Sequence, residues 1–196
     1  MLVRELMTLE PATVTPQTSV KAALRRLAEL SITAMPVVDS RRRLIGIVSE
    51  ADLIREAITR DPRAPEGAVI VESLYPAHRV EEVYTRSTVS VRSEDDVASA
   101  VDLMSATGAK SLPVLDEIGS LVGVLSRSDV VRALARDDDT IAADLDDVLT
   151  RLGHDDWLVE VEEGVVEVTG PSNLGEVSLA HMVAHTVPGV VEVHVE

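Results

Sequence analysis

A glycine, a serine and an aspartate recur at one spacing in two places. Gly46, Ser49 and Asp52 stand in "GIVSEADLI" (46–54), and Gly123, Ser126 and Asp129 stand in "GVLSRSDVV" (123–131). A serine at the first turn of a helix lies beside backbone N–H groups and the positive end of the dipole, a setting suited to a phosphate. An aspartate three residues on shares that helical face, and its carboxylate can accept both hydroxyls of a ribose. The preceding glycine lets backbone approach closely. Each triplet thus meets the needs of a phosphoribosyl group. The same residues also suit a helix start with no ligand, since Ser and Asp cap helices and glycine serves turns. A ligand site and a ligand-free scaffold are both open on these residues.

The triplets belong to a longer repeat. At a constant shift of 77, Val3 pairs with Val80, Val14 with Val91, Val20 with Val97, Ala23 with Ala100, Pro36-Val37 with Pro113-Val114, and Asp39 with Asp116. In the first copy Val20, Leu24, Leu27 and Leu30 fall near helical spacing, and in the second Ser93, three residues before Asp96, is the expected N-cap. "AMPVVD" and "LIGIVS", separated by "SRRR", read as two strands, and a second helix starts near Ser49. Each copy therefore reads strand, helix, strand, strand, helix. Copies of this size are marginal alone, and two can bury their sheets and helices together. The expected division is 1–58 and 80–136 for the copies and 59–79 for a linker with three prolines and a glycine.

Charge divides the chain again. Residues 1–136 carry 17 Lys and Arg against 19 Asp and Glu, whereas 137–196 carry one Arg against 15 acids, a net of −14. A second domain over 137–196 is expected, with "RDDDT" at the junction. Such acidity repels phosphate backbones and anionic lipid, which argues against a nucleic-acid partner and against a membrane. With no cysteine, disulfides and thiolate chemistry are excluded. No apolar run approaches the roughly 20 residues of a membrane span, and "MLVRELMTLEP" lacks a signal core, so a cytoplasmic location is expected.

The doubled pattern of apolar-Pro-Val-x-Asp, turn, then Gly-apolar-apolar-Ser-x-x-Asp resembles a tandem pair of cystathionine-β-synthase (CBS) domains, the Bateman module. The resemblance implies an α/β fold of two βαββα repeats forming a pseudo-two-fold disc with two clefts for adenosine-containing ligands such as AMP, ADP, ATP or S-adenosylmethionine. It implies that one cleft uses Ser126, Arg127, Asp129 and Lys110 for ribose and phosphate, with Thr15, Val20, Ile32, Thr33 and Ala34 around the base. The other would use Ser49, Asp52 and Thr33 with Arg92, Val97, Ala109, Lys110 and Ser111. Glu50 stands where Arg127 stands in the repeat and would repel a phosphate, so the Asp129 cleft is expected to be the tighter. Apolar helices on the disc imply a homodimer.

In the acidic segment, Ile141, Leu145, Val148, Leu149 and Leu152 share a helical face. "WLVEVEEGVVEVTG" alternates about a Glu163-Gly164 turn and reads as a hairpin. A helix with Leu179, Met182 and Val183 inward follows, and "PGVVEVHVE" is a last strand. This αββαβ order resembles a BON domain, a family associated with phospholipid or protein partners, and the charge favours a protein. His181 and His185 have the i, i+4 spacing of a metal pair but no third ligand, and His154 beside Asp155 and Asp156 reads as a solvated loop. No nucleophile motif, phosphate-binding loop or dinucleotide fingerprint is present, so no catalytic residue, metal or required cofactor is expected. The whole reads as a regulatory ligand sensor, with a ligand-free dimeric scaffold as the alternative.

Overall fold

The computed structural model describes residues 1–57 and 77–196, so the expected linker lies outside the described residues except for its last three positions. The chain divides into two compact units, one of Leu9–Ser90 with Pro113–Val124 and one of Met1–Thr8, Val91–Leu112 and Leu125–Glu196. Along the sequence run α1 (Val3–Leu6), β1 (Thr8–Leu9), α2 (Val20–Leu30), β2 (Ala34–Val38), β3 (Leu44–Ser49) and α3 (Glu50–Ala57). After a 3-10 turn at Val80–Glu82 come β4 (Val91–Arg92), α4 (Val97–Thr107), β5 (Ser111–Leu115), β6 (Leu121–Ser126) and α5 (Arg127–Leu134). Each copy contains the expected strand, helix, strand, strand and helix, preceded by a short helical turn that was not expected, α1 in the first and Val80–Glu82 in the second.

In the first unit Ser19 caps α2 by accepting from the Ala22 N–H, and Val20, Ala23 and Leu27 form its buried face. Leu30, expected inward, is half exposed, because Ala23 rather than Leu24 sits at the centre of the apolar stripe. β2 and β3 pair antiparallel, with Met35 opposite Val48 and Ala34 opposite Ser49. Asp39 closes their turn. Its Oδ1 accepts from the Arg41 and Arg43 N–H groups, and its Oδ2 takes the Arg43 guanidinium. The Arg43 N–H foremost, then its side chain, hold this half-buried carboxyl below its ordinary range. Asp116 repeats the turn by accepting from the Ile118 and Ser120 N–H groups. This repeated aspartate is a turn clamp.

Residues 77–85 complete the first unit. His78 and Thr18 carbonyls accept from the Val20 and Val80 N–H groups, and Thr85 exchanges both backbone hydrogen bonds with Ile47. Gly46 is mid-strand, and its lack of a side chain makes room for Tyr84 and Thr85; an added Cβ would lie 2.3 Å from the Thr85 carbonyl oxygen. The glycine of the motif therefore admits a neighbouring chain segment, where a turn or a ligand approach had been expected. Gly46→Ala should cost about 3 kcal/mol by overpacking against backbone that cannot swing away, read as a lower denaturant midpoint. An unchanged midpoint would show that residues 84–85 move aside freely.

In the second unit α1 plays the part that Val80 plays in the first. Val3 is fully buried, and the Val3 and Arg4 N–H groups donate to the Asp95 and Ser93 carbonyls. Asp96 caps α4 by accepting from the Ala98 N–H, so the expected Ser93 cap is corrected to the position equivalent to Ser19. Val97, Ala100 and Met104 are its buried face.

The acidic segment folds as α6 (Asp138–Leu152), β7 (Leu158–Glu162), β8 (Val165–Thr169), α7 (Leu174–Ala184) and β9 (Glu192–Val195), in the expected order. β7 and β8 form a hairpin whose turn residues Glu163 and Gly164 both have positive φ, and Asp138 accepts from both their N–H groups. β9 lies parallel to β8, with α7 as the crossover. Ile141, Leu145, Leu149, Trp157, Val166, Val168, Ala180, Val183 and Val193 make this segment's core. Leu152 and Met182, expected inward, are exposed. His154 is no free loop residue: its ring stacks on Trp157 with centroids 4.0 Å apart.

Candidate functional site

Both Ser-x-x-Asp motifs span the step from strand to helix, and both have the same geometry. The Ser49 hydroxyl donates to Asp52 Oδ2 at 2.6 Å, and the Asp52 N–H donates back to Ser49 Oγ. The Ser126 hydroxyl donates to Asp129 Oδ2 at 2.6 Å, and the Asp129 N–H returns to Ser126 Oγ. The serine N–H adds a second bond to the same carboxylate oxygen in each case. Each pair is therefore a capping box with Asp in the acidic position.

Capping leaves part of the chemistry open. A carboxylate offers about four lone-pair sites, two on each oxygen. Ser49 and Ser126 fill Oδ2, and Oδ1 remains for a ribose. Asp52 Oδ1 has no partner among the described residues, but Asp129 Oδ1 accepts from Arg132 at 3.1 Å. Arg55, which matches Arg132 in the repeat, makes no such bond among the described residues. The first-turn amides are less free than the sequence suggests. The Glu50 N–H donates to the Thr33 carbonyl and the Arg127 N–H to the Lys110 carbonyl, so a phosphate would depend on side chains more than on backbone.

The structure brings the expected residues together in two groups, each inside one unit. In the first unit Ser49 and Asp52 stand beside Thr33 and Ala34, with Ile32 half-buried against the core. In the second, Ser126, Arg127 and Asp129 stand beside Lys110, with Ala109 and the buried Ser111 flanking it. The Arg127 guanidinium donates to the Met104 carbonyl of α4. Val20 and Val97, expected as lining residues, are core residues at the first position of their helices. Thr15 turns onto Thr18, and the Arg92 N–H is bonded to Asp95. Arg132 was missed, although its i+3 spacing from Asp129 signals contact.

A model of the CBS domain matches residues 3–59 and 80–136, more than half of the chain. The chain belongs to the CBS domain family. A CBS domain-containing protein of Dictyostelium discoideum is 33% identical over 135 residues, covering 69% of this chain and 92% of that one. The chloroplastic CBSX2 of Arabidopsis thaliana is also 33% identical over 135 residues, and this chain spans 57% of its length. A crystal structure of CBSX2 in complex with AMP superposes with a TM-score of 0.57 at 32% identity, covering 67% of this chain and 95% of that one. The acidic segment from 137 lies beyond the family model.

His181 lies on α7, half-buried, and His185 ends it exposed; no cluster of three or more His, Cys, Asp or Glu able to hold a metal occurs among the described residues. No helix among the described residues is long and apolar enough to cross a membrane.

Proposed function

We propose that this CBS protein is a regulatory sensor of an adenosine-containing nucleotide, with AMP the first candidate, and that its acidic domain passes the state to a protein partner. The observation that carries this reading is a capping aspartate given twice in one geometry, its Oδ2 taken by the serine and its Oδ1, without a partner among the described residues on Asp52 and shared with Arg132 on Asp129, suited to ribose hydroxyls. Support comes from CBSX2, a relative at 32% identity whose structure holds AMP. Ser126, Arg127, Asp129 and Lys110 are assigned to ribose and phosphate in one unit, and Ser49, Asp52, Thr33 and Ala34 to a weaker half-site in the other. Glu50 next to Ser49 is the reason for the ranking. The acidic domain is assigned a BON-like fold on its αββαβ order. Exposed Ile54 on α3, and exposed Val131 and Leu134 on α5, support a homodimer.

Isothermal titration of the protein with AMP, ADP, ATP and S-adenosylmethionine tests the reading. Saturable heat from at least one is expected, and none from all four sinks it. The completed capping boxes favour a second reading, a ligand-free scaffold, which that null result would select.

Arg132 sets a finer test. Its ion pair, exposed on the Arg132 side, occupies one of the two acceptor sites left on Asp129 and is worth about 1 kcal/mol. Arg132→Ala should therefore tighten AMP up to about fivefold. Weaker binding would show instead that Arg132 touches the ligand.

A further inference from the structure

α5 carries the Asp129 half-site on its first turn and a mechanical joint at its other end. Two residues past the helix, Arg136 Nη1 donates to the Pro188 carbonyl at 2.8 Å, and Nη2 pairs with the Asp144 carboxylate. Asp144 lies on α6, and Pro188 opens the turn into β9. One guanidinium thus ties the end of α5 to two elements of the acidic domain. A planar fork with five donors can hold two acceptors on separate elements at once, which an ammonium holds less firmly. Gly189 completes the joint: at φ +102, a Cβ there would lie 2.7 Å from Ile141 Cδ1 and 3.1 Å from the Ala133 carbonyl oxygen of α5. Between the half-site and the joint stands a single eight-residue helix, about 12 Å long and uninterrupted.

We propose that α5 is a strut through which the acidic domain reads the Asp129 half-site, with Arg136 as its joint. The proposal rests on the nucleotide reading of that half-site. A ribose that takes Asp129 Oδ1 displaces the Arg132 bond within the first two turns of α5. A short helix shifts as one body, and its far end is locked to α6 and to the β9 turn, so the shift reaches the acidic domain directly. A ligand moves such an equilibrium only by as much as it prefers one arrangement, so the coupling is expected to be graded with occupancy of Asp129.

Hydrogen exchange on the full chain, with AMP as the probe, tests this. Saturating AMP should change exchange over 141–152 and 187–196 in the native sequence. Arg136→Ala should bind AMP with unchanged affinity by calorimetry and lose that distant response; Asp144→Asn, which removes the charge of one acceptor, should weaken it. Trp157 emission verifies that both variants keep the acidic domain folded. AMP heat with no change over 187–196, or a full response in Arg136→Ala, would overturn the strut. If AMP gives no heat, the nucleotide reading fails by itself, and the strut is decided without ligand. Ser126→Ala removes the cap of α5 and should alter exchange over 187–196 only where Arg136 is present. An identical change in the Arg136→Ala background overturns it.

Discussion

Asp129→Ala is expected to weaken AMP binding at least about a hundredfold, because hydrogen bonds to a charged acceptor contribute about 1.5–3 kcal/mol each. The loss should appear as absent heat at AMP concentrations that saturate the native protein. The same substitution also removes the carboxylate from the cap of α5, where Ser126 N–H and hydroxyl both donate to it. Ser126 Oγ still accepts from the residue 129 N–H, so the structural cost is the loss of half a capping box, about 1 kcal/mol. The two roles are separable. A lower melting temperature with unchanged AMP affinity would mean that the doubled motif only starts helices. Lost affinity with a melting temperature within a few degrees of native would assign the ligand to Asp129. Asp129→Asn sharpens the comparison, since it retains shape and one acceptor oxygen while removing the charge that ribose hydroxyls favour.

The repeat was legible because strand and helix periodicities recur at a constant shift, so each copy corroborated the other. The Ser-x-x-Asp contacts followed from spacing alone, since residues three apart at a helix start meet. Side-chain faces were read less well where small residues do the packing. Ala23 in α2 and Ala180 and Ala184 in α7 hold the buried centre, so Leu30 and Met182, chosen for their size, turned out exposed. The role of Gly46 was invisible for a different reason. What it accommodates, Tyr84 and Thr85, is nearly 40 residues away in sequence and joined by backbone hydrogen bonds, which leave no side-chain signature. The same holds for α1, whose N–H groups bond the Ser93 and Asp95 carbonyls. Ser93 has the look of a cap because it is a serine before an acidic residue; the repeat, which sets Asp96 against Ser19, points to the residue that caps. The acidic residues of 137–196 were read as a charge balance, and particular members prove to have particular tasks. Asp138 clamps a hairpin turn and Glu176 accepts from Ser172, whose N–H and hydroxyl hold that half-buried carboxyl below its ordinary range.

Leu145→Ala should unfold the acidic domain and leave nucleotide binding in place. Leu145 is buried on α6 among Ile141, Leu149, Trp157 and the sheet valines, and every member of this core lies after residue 140. Truncating a fully buried leucine costs about 2–5 kcal/mol through lost burial and the remaining cavity. A domain of this size holds roughly 3–9 kcal/mol in total at the usual stability per residue, so the variant falls close to the midpoint of unfolding. The chain's single tryptophan reports the outcome: Trp157 is nearly buried and stacked on His154, and its emission should shift to the red in Leu145→Ala. AMP affinity should stay native, because Ser126, Asp129 and Lys110 draw nothing from that core. Exchange over 187–196 should then no longer respond to AMP, since Arg136 has lost Asp144 and Pro188 as fixed partners. Native emission in Leu145→Ala would mean that the core repacks around the cavity. Loss of AMP affinity together with the red shift would show that α5 needs a folded acidic domain to present Asp129, making the joint at Arg136 a condition for binding as well as a route for its signal.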